Sequence, residues 1–340
     1  MAITIKDVAR HCGMSISTVS KVFNQYPDIS RETRSQVLKA ARQLGYQPNA
    51  LARALKTNRS YNLGVLLADD NVNGLTHPFF ASVLNAFKAE AEARRYDITF
   101  INHNIGASEM TYLEHCRYRN VDGVCLVCVD FASPEVEELV SSDIPCVAVD
   151  HLYSGRPCVL SDNLAGIRAL VDHVVSQGHR HIAYIHGQQG TAVTQKRVAG
   201  FLRAMEAHGL PVGEGCLVEG RYNDIARTKR QTAALLARPD APTCILLPDD
   251  ISCLGALEAA REAGMIAPED ISLAGFDGLW LTQSLHPRLT TVCQDVETMG
   301  REAAAKLIAC VERSDAAHGE PLLIPTRLEP GETVGPPAKR

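Results

Sequence analysis

The chain has 340 residues, 46% hydrophobic and 21% charged, which is too long for one ordinary core and suits two or three soluble domains. No run is apolar enough to span a bilayer, and the start Met1-Ala-Ile-Thr-Ile-Lys-Asp7 lacks the basic and apolar regions of a signal peptide, so a cytoplasmic protein is expected. The net charge of −5 hides an asymmetry: residues 1–60 carry ten Lys/Arg against three acids, the rest 24 against 36, and a basic head on an acidic body fits phosphate binding at one end.

Ile5, Val8, Ala9 and Cys12 fall at i, i+3, i+4 and i+7 and make one apolar stripe on a two-turn helix that Thr4 can cap. Gly13 stops that helix in the left-handed conformation glycine adopts without strain. Ser15 caps a second helix with Val19, Val22 and Phe23 inward, and Ser30 announces a third carrying Val37, Leu38, Ala41 and Leu44 before Gly45. Three short helices with a tight turn between the first two form an all-α helix-turn-helix domain over 1–46. The second helix of that arrangement enters the major groove. Ile16, Ser17 and Lys21 point away from its core face and are the candidate base readers: Lys21 donates to guanine, Ser17 bonds either way, and Ile16 touches a thymine methyl. Thr4, Ser15, Thr18, Ser20 and Asn24 are placed for phosphates, which set register without carrying sequence information.

The residues Thr4-Ile-Lys-Asp-Val-Ala-Arg, Gly13, Ser17-Thr-Val-Ser-Lys-Val, Arg34, Leu44-Gly-Tyr-Gln-Pro-Asn-Ala and Ala52-Arg-Ala-Leu55 resemble the lactose-repressor (LacI/GalR) family. The likeness is dense over 3–65 and looser beyond. It implies a homodimer on a palindromic operator, released or engaged by a small effector. The segment 48–56 is a helix candidate with Asn49 as cap, too short to be stable alone in water. In proteins it resembles, such a hinge helix within 47–60 folds on DNA, pairs with its dimer mate in the minor groove and wedges a leucine between base steps. By position the leucine is Leu55, and Asn49, Ala52 and Lys56 join it as DNA-binding residues.

From residue 62 short apolar runs at 63–68, 98–102, 123–129, 146–149, 182–186, 243–247, 271–276 and 290–293 alternate with helix-length segments at 79–94, 164–177, 193–208 and 251–263. This βαβ series predicts parallel sheets with helices on both faces. Eleven cysteines lie scattered through apolar runs and read as small core residues. The one close pair, Cys125 and Cys128, has an odd separation that turns the side chains to opposite faces of a strand, and no metal or cofactor is expected. Two sheets split near residue 160 give two lobes over 61–330, one of about 61–160 plus 293–320 and one of about 161–292 plus the C-terminal segment. The resembled family shares this architecture with periplasmic sugar-binding proteins.

Ligands of open α/β sheets sit beyond the carboxyl ends of the strands. Here Asp150, Asp249 with Asp250, and Asp277 end predicted strands, and the loop 187–197 follows another. By position in the family pattern, Asp150, Arg197, Asp249 and Asp277 resemble effector-contacting residues, and Phe79, Phe80 and Tyr222 resemble aromatic walls. Carboxylates and a guanidinium fix hydroxyls in direction while an aromatic face covers a sugar ring, so a sugar or sugar derivative is the expected effector. Two departures matter: Thr191 or a neighbour stands where purine-binding members carry an arginine, and Asp249 stands where sugar-binding relatives often carry Asn.

An enzyme is not expected, because no G-x-x-x-x-G-K-[ST], G-x-S-x-G or H-E-x-x-H occurs. A transport binding protein fits neither the missing export signal nor the basic head. The stretch 331–340 is a short, breaker-rich tail without leucine heptads, which favours a dimer over a tetramer.

Overall fold

The computed structural model describes residues 3–23, 26–47, 59–68, 74–105, 108–312 and 320–338. It comprises two compact units, Met1–Tyr61 and Asn62–Arg340.

The N-terminal unit contains the helices Ile5–Cys12, Ile16–Phe23 and Arg31–Leu44. Val8, Ala9, Val19, Val22, Val37, Ala40 and Ala41 form its core, with Ile5, Phe23, Leu44 and Tyr46 packed around them. Gly13 and Gly45 close the first and third helices at φ 66° and 67°, where a side chain would be strained. Ser15 and Ser30 cap as their spacing predicts, accepting from Thr18 N at 3.0 Å and Thr33 N at 3.1 Å. The first helix differs in detail. Asp7 reaches back to accept from both Thr4 N (2.9 Å) and Thr4 Oγ1 (2.7 Å), and these bonds hold its carboxyl below the usual range.

The second unit holds a six-stranded parallel sheet in the order Leu322–Ile324, Cys158–Ser161, Cys146–Val149, Gly123–Val127, Asn62–Leu67, Asp97–Phe100. A four-stranded parallel sheet runs Ser272–Ala274, Cys244–Leu246, Ile182–His186, Leu217–Glu219. The central strands Gly123–Val127 and Ile182–His186 are buried along their whole length, as continuous apolar runs in sheets covered on both faces must be. Pro78–Ala93 and Val296–Glu312 pack together on the first sheet, and Asn163–Ser176 packs on Ala192–Ala207 at the second. The chain crosses between the lobes near residues 162, 295 and 325.

The crossings refine the expected lobe limits. Thr291–Gln294 pairs antiparallel with Thr326–Glu329, so the return to the first lobe begins at the helix Val296–Glu312. The breaker-rich end is no free tail, because Thr333 is fully buried. Its backbone and hydroxyl bond Leu273, and the fully buried His179 bonds the Gly335 carbonyl at 2.8 Å. None of the eleven cysteines is in a disulfide, and burial pushes the Cys116 and Cys146 thiols up to about 12, leaving those two as unreactive packing thiols. Cys128 lies beyond the strand end, in left-handed backbone at φ 50°, instead of opposite Cys125 within it. Among the described residues no helix is long and apolar enough to cross a membrane.

Candidate functional site

On the second helix of the N-terminal unit, Val19 and Val22 are buried while Ile16 and Ser17 are exposed, so this helix presents a free polar face with one apolar tip. Lys21 lies on that face, and its Nζ is 2.5 Å from Asp28 Oδ2 and 6.0 Å from the Tyr26 ring centroid. The pairing raises the lysine pKa and lowers that of the aspartate. Asp28 is a partner that spacing alone does not reveal, since the turn between the second and third helices brings it back. Ser15 and Thr18 share a hydroxyl contact of 2.8 Å at the N-terminus of the same helix, where backbone N–H groups face outward. Asn24 and the hinge residues Asn49, Ala52, Leu55 and Lys56 lie outside the described residues.

In the second unit the polar strand ends converge on one guanidinium. Arg197 comes from the helix Ala192–Ala207, is 3% exposed and sits over the Phe276 ring with its Cζ 3.6 Å from the centroid. Its Nε donates to Asn163 Oδ1 (2.6 Å), its Nη1 to the Pro248 carbonyl (2.9 Å), and its Nη2 stands 3.9 Å from Asp277 Oδ1. Tyr222 stands at 5.7 Å on another side, and its hydroxyl meets Thr194 Oγ1 at 2.9 Å. The ring fills the space over Gly187, where an added Cβ would lie 2.2 Å from Tyr222 Cε2.

Each carboxylate is locked by local bonds. Asp249 caps the helix Asp250–Glu262 by accepting from Ser252 N (2.7 Å), and it also accepts from Ser252 Oγ and Asn223 N. Asp150 follows Cys146–Val149 in left-handed backbone at φ 59° and accepts from Ser161 N at 3.0 Å. Asp277 holds φ 124°, fixed by its N–H donating to the Val292 carbonyl and by Gln294 N donating to its own carbonyl. Burial pushes all three carboxyls above their ordinary range, and the charge of Arg197 opposes the shift. The site is thus a set of directional acceptors around one fixed cation, an arrangement that suits hydroxyl groups.

The aromatic expectations divide. Phe79 is only 4% exposed and packs edge-on to Phe80. Phe80 is half-buried against His77, whose Nε2 lies 2.7 Å from Asn223 Nδ2 of the other lobe. His77 and Asn223 therefore tie the first lobe to the loop that holds Asp249, a contact absent from the expected set. Thr191 spends its hydroxyl on capping, accepting from Thr194 N (3.2 Å) and donating to Thr194 Oγ1 (2.8 Å).

Residues 4–49 match the family model of bacterial regulatory proteins, lacI family, and residues 171–334 match a periplasmic binding protein-like domain. A ribose operon repressor of Halalkalibacterium halodurans is 33% identical over 97% of this chain and 97% of its own length. The chain belongs to the lacI family. The repressor PurR of Pectobacterium carotovorum is 32% identical, with 92% of each chain covered. Among solved structures, the transcriptional regulator CelR in complex with cellobiose superposes with a TM-score of 0.71 at 26% identity, covering 97% of this chain and 99% of that one. The lac repressor dimer bound to operator shares the fold, with a TM-score of 0.81 at 24% identity over 98% of this chain and all of that one. As a lacI-family member the chain is a DNA-binding transcription regulator, with the helix-turn-helix unit joined to a periplasmic-binding-protein-like unit of parallel sheets and covering helices.

Proposed function

We propose that the protein is a homodimeric cytoplasmic repressor that reads a palindromic operator through residues 1–46 and a hinge at 47–60, and responds to a neutral sugar held between its lobes. The convergence of Asp150, Asp249, Asp277 and Tyr222 on Arg197 carries this reading. One of these carboxylates, Asp277, stands 3.9 Å from the guanidinium and the other two lie within reach of its charge, so that charge is already engaged, which favours polyhydroxyl ligands over anions. A ribose operon repressor among the relatives and a cellobiose complex among the structural neighbours support a carbohydrate. Purine-binding members of the family make purines the second reading, but Thr191, spent on capping, offers no cation at that position. Catalysis plays no part in either reading.

A ligand that binds only the folded state raises the melting temperature. A thermal-shift screen of purified protein against neutral sugars, sugar phosphates, hypoxanthine and guanine is expected to score a neutral sugar. A purine hit without a sugar hit overturns the assignment.

Lys21 provides the test at the other end. Lys21→Ala is expected to cost about 1–3 kcal/mol on the specific operator and to relax preference at one base pair per half-site. Binding-site selection with wild-type and variant protein reads this. A uniform loss on all DNA would reassign Lys21 to phosphate contact.

A further inference from the structure

Residues 1–60 contain three acids, Asp7, Asp28 and Glu32. Asp7 is spent on Thr4 at the start of the first helix, and Glu32 sits in the first turn of the third, where a negative charge suits the helix N-terminus. Asp28 belongs to neither helix and stands beside the face that reads DNA. The turn that carries it is pinned on both sides of Tyr26, whose N–H donates to the Lys21 carbonyl at 3.1 Å and whose carbonyl accepts from Arg34 Nη2 at 3.1 Å. This turn brings the Asp28 carboxylate to 2.5 Å from the Nζ of Lys21, the one charged residue of the helix Ile16–Phe23.

The two side chains are 41% and 53% exposed. An ion pair so open to water adds little to folding, so its consequence falls on binding. An ammonium has three donors, and Lys21 can keep one on Asp28 while aiming the others at guanine O6 and N7. Attraction to phosphates works differently. It depends on the net charge offered to the backbone, and a lysine already neutralised by a carboxylate displaces no further counterion. The pair therefore leaves base reading in place and cancels the part of Lys21 in sequence-independent attraction.

We propose that Asp28 is a specificity-determining residue: by holding Lys21 it weakens binding to DNA of unrelated sequence more than binding to the operator. This rests on Lys21 being a base reader. Asp28 acts through Lys21 and is a positioning residue, so its effect lies in the ratio of the two affinities and in their salt dependence.

The test measures full-length wild type, Asp28→Asn, Lys21→Ala and the double variant on two DNA samples, the duplex that wild type enriches from a random pool and the unselected pool itself. Salt is varied from about 50 to 200 mM, a range over which phosphate contacts lose much of their strength. Asp28→Asn is expected to bind the unselected pool roughly 3–10-fold more tightly at about 0.1 M salt, with a slope of log affinity against log salt steeper by about 0.9, as one more neutralised phosphate requires. Its affinity for the selected duplex should rise less, so the specificity ratio falls. In the Lys21→Ala background the same substitution should leave ratio and slope in place, because its partner is gone. An unchanged ratio in Asp28→Asn overturns the proposal alone, and so does an equal change in both backgrounds, which makes Asp28 a diffuse charge. A Lys21→Ala protein that weakens equally on both samples overturns the reading of Lys21, and the proposal with it.

Discussion

Asp250→Ala is expected to destabilise the second unit by about 3–5 kcal/mol, the cost of breaking a buried charged network from one side. Asp250 is fully buried, and its two oxygens accept from Leu279 N (2.8 Å), Thr282 Oγ1 (2.9 Å) and Thr291 Oγ1 (2.5 Å). It thereby joins the start of the helix Asp250–Glu262 to the segment just after Asp277 and to the strand Thr291–Gln294. Alanine leaves those donors without an acceptor. Asp250→Asn should keep most of the stability, since its oxygen can face Leu279 and Thr282 while its amide donates to the Thr291 hydroxyl, which can turn to accept. Burial raises the Asp250 pKa from 3.8 to about 6, so the folded protein takes up this proton more readily than the unfolded chain. Its contribution to stability is therefore largest at low pH and declines as pH rises from about 3.8 to about 6, then stays level. Urea denaturation of wild type and Asp250→Asn from pH 4 to 7 checks the sign: stability of wild type relative to the variant should fall over that window. A difference that is flat with pH removes the linkage.

The sequence announces this protein unevenly, and the reasons are physical. Most of the helix-turn-helix could be read because its signals are local: a cap at Ser15, a stop at Gly13, a stripe of Val19 and Val22. Leu38, expected on the third helix's stripe, is exposed, and Ala40 is buried with Val37 and Ala41 instead. The helices Pro78–Ala93, Asn163–Ser176, Ala192–Ala207 and Asp250–Glu262 show through their length, and the central strands Gly123–Val127 and Ile182–His186 as continuous apolar runs, whereas the 17-residue helix Val296–Glu312 was not singled out. The strands Cys158–Ser161, Leu217–Glu219 and Leu322–Ile324 did not show, being only three or four residues long, and the last two find their partners more than thirty residues away in the chain. Leu217–Glu219 lies at a half-exposed sheet edge and lacks a clean alternation.

At the site, a strand-ending aspartate identifies a position but not its duty. Asp249 and Asp250 are neighbours, yet one faces the Asn223 loop and the other is consumed by Thr282 and Thr291. Only the fold distinguishes them. Phe79 and Phe80 are likewise adjacent, and helical rotation puts one in the core and the other beside His77. Gln294 and Asp28 act through contacts that no spacing rule encodes.

Asp277→Asn is expected to weaken the sugar response by about 10–150-fold, because a hydrogen bond to a charged acceptor is worth about 1.5–3 kcal/mol. The variant keeps the shape of the site. Its amide oxygen can still receive the Gln294 Nε2 and face Arg197, and Asp150 and Asp249 still oppose the guanidinium charge, so the fold should survive. What changes is the outer atom, which becomes a donor where the sugar hydroxyl needs an acceptor. An effector alters operator affinity only through its different affinities for the two states of the protein, and the same coupling acts in both directions. Titrating labelled operator with wild-type and variant protein across sugar concentrations therefore reads the cleft from the DNA end. If the sugar is an inducer, the variant should bind operator like wild type without sugar and should need about 10–150-fold more sugar for release. If the sugar is a co-repressor, the variant should bind operator weakly until sugar reaches correspondingly higher concentration. A response midpoint equal to wild type would show that Asp277 serves only to hold its turn against Val292 and Gln294.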